Sequence, residues 1–293
     1  MIERRTILGG LASAALLATV PACAAKKPAK TGNKLGDAMA ALERESGGRL
    51  GLAWLDKASG ERSGWRGGER FAMCSSFKFL LAAATLARVD KGVETLDRAI
   101  SIAKTDMVPN SPFSEGRVGG SATVAELCQA TVQRSDNAAA NLLLAPLGGP
   151  PAFTRYLRAA GDPVTRLDRI EPQMNDMKGS DPRDTTTPDA MVGNLGRFLI
   201  GDALTPASRA RLLAWMNGNL TGDGRIRAGV PKGWTVADKT GTSGHGNYND
   251  VALIQPPGRA PILLAIYLAE TPLEWAAAEA IHARATRAVL ASL

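Results

Sequence analysis

Three short segments hold side chains that can do chemistry together. Ser75 and Lys78 stand three apart in Ser75-Ser76-Phe77-Lys78. On a helix that spacing puts both on one face, with about 5–6 Å between Cβ atoms, so the amine can reach the hydroxyl. Lys78 lies among Phe77, Phe79, Leu80 and Leu81. An ammonium in such surroundings must be paired or desolvated, and desolvation lowers its pKa toward that of a usable base. A serine at a helix start also meets unpaired backbone N–H groups and the positive end of the helix dipole, which favour a developing oxyanion. The second segment, Ser135-Asp136-Asn137, falls between two helical patterns and alone reads as a capping turn. The third, Lys239-Thr240-Gly241, sits at the end of a strand pattern, where Gly241 would let a substrate backbone approach closely. Each has an ordinary structural explanation when taken singly. In this order, S-x-x-K, S-D-N and K-T-G describe a nucleophilic serine served by lysine instead of histidine.

Histidine is too scarce for a zinc hydrolase and poorly supplied for a Ser-His-Asp triad. The chain has 293 residues and two histidines. These are His245 and His282, with no H-x-H or H-E-x-x-H spacing. Zinc hydrolases draw on several protein ligands with histidine prominent, so neither a metal nor another cofactor is expected. His282 falls in a C-terminal helical pattern, and His245 lies just past the third segment, near the rim of any site built there. Hydrophobic residues make up 45% and charged residues 22%, the balance of a soluble globular protein. The net charge is +7, but aromatics are only 5% and no Lys/Arg run exceeds two, which argues against nucleic acid. The charge instead favours small anions.

The N-terminus has the pattern of an export signal. Arg4-Arg5 precede an apolar run over 7–20 that is too short to span a bilayer, and Ala22-Cys23-Ala24 offers a cleavage site. Residues 1–24 are therefore expected to be a signal peptide, with Arg4-Arg5-Thr6 also resembling a twin-arginine signal and Val20-Pro21-Ala22-Cys23 a weaker lipoprotein box. The destination is the periplasm, with membrane anchoring only if Cys23 is acylated. Residues 25–33 read as a tether. Cys74 and Cys128 lie in helical apolar patterns and are expected as buried free thiols.

The elements that must position these residues follow a simple order. Helical periodicity covers 35–45, 75–89, 124–134, 137–144, 152–159, 188–200, 206–215 and 273–293. Strand patterns cover 49–54, 62–65, 234–239, 250–255 and 262–268, the first two joined by a turn at 57–60. Residues 164–188 show no period and read as a long functional loop. Strands thus come from both chain ends and helices from the middle. The expected architecture is α+β: a five-stranded antiparallel sheet lobe (about 34–66 and 217–293) and an all-α lobe (about 67–216), with the active site between them.

Longer stretches around these segments sharpen the reading. They are Phe71-Ala72-Met73-Cys74-Ser75-Ser76-Phe77-Lys78, the run from Ser135 to Leu143, Arg166-Leu167-Asp168-Arg169-Ile170-Glu171-Pro172 with Asn175, and Ala237-Asp238-Lys239-Thr240-Gly241-Thr242. Over nearly all of 34–293 the chain resembles the class A serine β-lactamases. The resemblance implies that Ser75 attacks the β-lactam carbonyl to form an acyl-enzyme, with the backbone N–H groups of Ser75 and Thr242 as oxyanion hole. It implies that Lys78 and Glu171 share the base role in acylation and that Ser135 relays a proton to the lactam nitrogen. Asn137 would hold the substrate's side-chain amide, and Lys239, Thr240 and Thr242 its carboxylate. Glu171 and Asn175 would hold the hydrolytic water on the 164–188 loop, fastened by an Arg169–Asp184 ion pair. Tyr248 stands where many members have an arginine, and Arg225 matches an alternative arrangement that reaches the same carboxylate pocket, a role suited to a guanidinium.

Some positions depart from the family pattern. Asn110 replaces an aromatic that usually lines the cleft rim. Thr242 and Arg225 resemble members that accept carbapenems, yet Ser243 stands where those have the disulfide partner of Cys74, and Ala82 replaces the usual partner of Cys128. Penicillin and cephalosporin turnover by a monomer is the implied activity, and it confers antibiotic resistance; carbapenem turnover is left open. The rival readings are a penicillin-binding D-Ala-D-Ala peptidase and an inert envelope protein on the same fold. Glu171 with Asn175 argues against the first, and intact Ser75, Lys78 and Glu171 against the second.

Overall fold

The last strand of the chain, Ile262–Ala269, is Ile-Leu-Leu-Ala-Ile-Tyr-Leu-Ala and is buried along its whole length. A strand apolar on both faces must be covered on both, and that requirement organises the rest of the fold. A computed structural model describes Met1 and residues 34–176, 179 and 181–293. The expected signal peptide, Cys23 and the tether lie outside the described residues. Residues 34–293 form one unit.

Helix α1 (Lys34–Ser46) leads into β1 (Arg49–Asp56) and β2 (Arg62–Trp65). Short β3 (Phe71–Ala72) delivers the chain to a 3-10 turn, Cys74–Phe77, which runs directly into α2 (Lys78–Asp90). A ribbon of β4 (Ala99–Ser101) and β5 (Ser121–Thr123) brackets α3 (Pro112–Glu115). Then come α4 (Val124–Gln133), α5 (Asn137–Leu147) and α6 (Gly149–Ala159). The long loop that follows contains a 3-10 turn, Gln173–Asn175, and β6 (Thr185–Thr186), which pairs with β3. Next are α7 (Pro188–Leu199), α8 (Pro206–Asn217), α9 (Ile226–Gly229), β7 (Thr235–Ser243), β8 (Asn247–Gln255), β9 (Ile262–Ala269) and α10 (Trp275–Leu290).

The five-stranded sheet has the order β2-β1-β9-β8-β7 and is antiparallel throughout. Alternation along β9 sends Leu264, Ile266 and Leu268 to one face, against Met39 and Leu42 of α1 and Ile281 and Val289 of α10. Leu263, Ala265 and Tyr267 face the other way, into the core that contains α2 and α7. Every residue from Lys78 to Ala87 is buried, so α2 is the axis of the helical region. Cys74 and Cys128 are free and buried, and burial pushes both thiols up to about 12.

Two sequence expectations need correction. Lys239-Thr240-Gly241 does not end its strand: β7 continues to Ser243 and β8 begins at Asn247. The polar residues there break the hydrophobic alternation, but backbone pairing continues through Gly241↔Asn249 and Thr242↔Tyr248. The 164–188 loop is likewise not free of structure. Its neck is tied by the β3–β6 pair, too short to show a period.

Candidate active site

The nucleophile turn is built before any substrate contact. Cys74 adopts a positive φ of 45° as the chain turns out of β3. Ser76 Oγ donates to Met73 O at 2.8 Å and lies 3.2 Å from Tyr267 Oη. Asn249 on β8 donates from Nδ2 to Ala72 O at 2.8 Å and to Met73 O at 3.1 Å. The turn is thereby pinned to the sheet. Gly241 makes the contact possible: a Cβ there would stand 2.6 Å from Met73 O, 2.9 Å from Ser76 N and 3.1 Å from Ser75 N. Glycine at this point permits the close approach of β7 to the serine turn, a requirement that the sequence did not show.

Lys78 opens α2 and is wholly buried. Its ammonium lies 2.9 Å from Ser75 Oγ and 2.8 Å from Ser135 O, with Ser135 Oγ at 3.4 Å. It also donates to Asn137 Oδ1 and lies 3.1 Å from Glu171 Oε1. Burial lowers its pKa, and the Glu171 carboxylate opposes that shift. Both side chains of this ion pair are fully buried, an arrangement that is costly if one partner is removed.

Ser135 sits between α4 and α5 with φ 56°, a conformation that costs a non-glycine residue and persists only when neighbours hold it. Asp136 supplies the hold. It caps α5 through Ala139 N at 2.8 Å and accepts from Phe113 N at 2.8 Å, Ser114 N at 3.0 Å and Ser114 Oγ at 2.8 Å. Asn137 is held at both ends of its amide, since Nδ2 donates to Pro109 O at 2.8 Å while Oδ1 takes Lys78. Asn110 donates to Ser135 O at 3.2 Å from the cleft rim.

Glu171 reaches this cluster from the long loop. Asn141 on α5 clamps its backbone twice: Asn141 Nδ2 donates to Glu171 O at 2.9 Å and Glu171 N donates to Asn141 Oδ1 at 3.0 Å. Asn175 Nδ2 donates to Glu171 Oε2 at 2.6 Å. Among the described residues Asn175 Oδ1 is buried without a hydrogen bond, and the partner of Glu171 Oε1 is the Lys78 ammonium. At the loop's neck Arg169 Nε donates to Asp184 Oδ2 at 2.6 Å, and Asp184 Oδ1 accepts from Asp168 N and Arg169 N at 2.7 and 3.0 Å.

Across the cleft lies Lys239, also wholly buried. It donates to Ser135 Oγ at 3.2 Å and Thr240 O at 2.8 Å. Burial first, and the charge of Lys78 second, lower its pKa to about 7. Arg225 backs this wall. Its guanidinium donates to Gly241 O at 3.0 Å, Asn249 O at 2.7 Å, Thr242 Oγ1 at 2.7 Å and Glu279 Oε1 at 3.3 Å. Thr221 shares a hydrogen bond with Thr240 through their hydroxyls. A cleft of about 440 Å³ runs past Ser75, Ser135, Thr240, Thr242 and Arg225.

The structure thus brings together Ser75, Lys78, Ser135, Asn137, Glu171 and Asn175, with Lys239, Thr240, Gly241, Thr242 and Arg225 on the facing wall. The histidines stand apart. His245 is exposed in the turn between β7 and β8, and His282 is buried in α10, where burial and then Arg225 lower it to about 3. Among the described residues no group of three or more His, Cys, Asp or Glu could hold a metal ion, and no helix is long and apolar enough to cross a membrane. Sequence reasoning did not assign Asn141, Asn249, Thr221, Glu279 or Trp275. They belong to other elements and carry no short-range pattern; Asn141 alone fell inside a family-like stretch, the run from Ser135 to Leu143.

A hydroxyl bonded to a buried lysine, and a second lysine facing it across a cleft, define on this fold a serine enzyme that works by acyl transfer without histidine. Known proteins supply the family. The family model described as "Beta-lactamase enzyme family" matches residues 34–293. The chain is 45% identical over 238 residues to β-lactamase CTX-M-8 of Citrobacter amalonaticus, covering 81% of this chain and 82% of that protein. It is also 45% identical over 262 residues to the carbapenem-hydrolyzing β-lactamase KPC of Klebsiella oxytoca, covering 89% of each. A solved ancestral class A β-lactamase superposes with TM-score 0.87 at 56% identity, covering 88% of this chain and 100% of that one. The chain belongs to the β-lactamase enzyme family and is a class A enzyme, a hydrolase of the kind that confers antibiotic resistance.

Proposed function

We propose that the protein opens the β-lactam ring of penicillins and cephalosporins through an acyl-enzyme on Ser75. Lys78 and Glu171 share removal of the hydroxyl proton. The Ser75 Oγ–carbonyl bond forms, the carbonyl–nitrogen bond breaks, and Ser135 passes a proton to the leaving nitrogen. The N–H groups of Ser75 and Thr242 receive the oxyanion. Lys239, Thr240 and Thr242, backed by Arg225, bind the substrate carboxylate, and Asn137 contributes to binding the acylamino side chain. Water then attacks the ester, with Glu171 as base and Asn175 orienting both.

One observation carries the hydrolytic half. Among the described residues Asn175 Oδ1 is buried without a hydrogen bond, and the Glu171 carboxylate beside it meets Lys78 through Oε1 next to the nucleophile. A buried unpaired acceptor beside a carboxylate suits an ordered water with two or more polar partners. A penicillin-trapped peptidase has no need of that arrangement. Export to the periplasm and action as a monomer complete the proposal. The purified protein is expected to turn over a chromogenic cephalosporin many times per chain. One covalent adduct per chain without turnover would instead identify a penicillin-binding protein.

A further inference from the structure

The cleft has an apolar flank that no residue of the acyl-transfer machinery explains. Trp275, the first residue of α10, is 52% exposed, and Leu220 is 62% exposed. Both line the cleft that contains Ser75, Thr242 and Arg225. Large exposed apolar side chains in a concave site offer a contact surface for ligand more than for fold. The Trp275 ring is also held. The ring of Tyr248 meets it edge-on at 5.8 Å and 83°, and the Arg225 guanidinium lies 5.3 Å from its centroid. An indole held by these neighbours and still half exposed in the cleft presents ring surface at little entropic cost. The opposite rim carries Asn110, which offers an amide and no ring.

We propose that Trp275, flanked by Leu220, selects β-lactams with a planar aromatic substituent on the ring carbon next to the carboxylate-bearing carbon. The inference rests on the reading of this cleft as the β-lactam site. With the carboxylate held at Lys239, Thr240 and Thr242, a substituent on the neighbouring carbon lies along the wall beyond Arg225, where Trp275 stands. A cationic ring can also draw on the attraction of the indole face for positive charge, while the charges lining the cleft are balanced, Glu279 and Asp223 against Arg134 and Arg225. Penicillins, with two methyl groups at the corresponding carbon, have no ring to stack.

The test compares three substrates: a cephalosporin with a pyridinium-methyl group at this carbon, one with a methyl there, and benzylpenicillin. Trp275→Ala is expected to lower kcat/KM for the first by about 3–10-fold, mostly through KM, and to leave the other two within about twofold. Trp275→Phe should retain most of the selectivity, and Leu220→Ala should lose part of it. Equal losses on all three substrates would mean that Trp275 only steadies Arg225, and no loss on any would mean no contact; either overturns the proposal. If the unmodified protein is acylated by all three but turns over none, the hydrolytic reading fails. Selectivity is then decided by the same ratio taken from acylation rates.

Discussion

Two buried lysines face the hydroxyl of Ser135 from opposite sides, Lys78 at 3.4 Å and Lys239 at 3.2 Å. Both are fully buried and burial lowers the pKa of both, yet their surroundings differ in one respect. Lys78 has a carboxylate partner, Glu171, at 3.1 Å. Among the described residues Lys239 bonds only neutral oxygens, Ser135 Oγ and Thr240 O, while Asp238 and Asp250 act on it through space. Asp250 is itself pushed well above the usual carboxylate range, first by burial and then by Asp238. A buried cation with its own anion is a closed unit that can exchange a proton internally. A buried cation without one is completed by an anionic ligand. In the proposed mechanism the same residue type then serves proton transfer on one side of the cleft and anion binding on the other.

Removing the carboxylate from the closed unit should have the largest effect. Glu171→Ala is expected to slow turnover by about 10²–10⁴-fold and to accumulate an adduct on Ser75, read as a mass increase equal to the substrate. Normal turnover by that variant would erase the distinction between the two sides. On the open side, Lys239→Met should leave the hydroxyl chemistry intact and weaken recognition of the carboxylate. Its kcat/KM should fall by roughly 10–150-fold, the range for a lost charged hydrogen bond, with KM carrying most of the change. A loss confined to kcat would assign Lys239 to proton transfer instead.

Gly241→Ala probes the seam that joins the sides. Its methyl group would meet Met73 O and the N–H groups of the serine turn, forcing β7 away from Ser75. A displacement of about 1 Å costs roughly 10²-fold in rate, so kcat should fall by up to that factor while the fold, followed by circular dichroism, persists. The mildest test is pH. The carboxylate prefers protonated Lys239, whose pKa is about 7. KM should therefore be flat below that value and rise above it, by at most about tenfold per pH unit. The bound anion favours the charged form, so kcat should stay level over the same span. Lys239→Arg should flatten the KM profile, since a guanidinium remains charged.

Much of this molecule was legible before folding was considered. The runs around Ser75, Ser135, Glu171 and Lys239 are local, and their residue types carry the chemistry wherever they are placed. Strands 49–54 and 262–268 were visible because both alternate or saturate in apolar residues. The tail of β7 and the start of β8 were not visible, because Thr242, Ser243 and Asn247 have no hydrophobic signal and are held by strand pairing. Gly241 was noticed, but the serine-turn backbone it approaches is far away in the chain, so that contact was not visible. Asn141 and Asn249 are ordinary asparagines until packing sets them against Glu171 and the Met73 carbonyl.

By itself, the sequence determined the inventory: a serine, two lysines, a glutamate on a long loop, and too few histidines for a zinc centre. Tertiary structure alone decided what each of them is. Lys78 and Lys239 are chemically identical side chains, and only the burial of both, with a carboxylate beside one, suits the first to the proposed role of base and the second to that of anion receptor. Desolvation and contact distances arise between segments remote in the chain, and a local pattern cannot encode them.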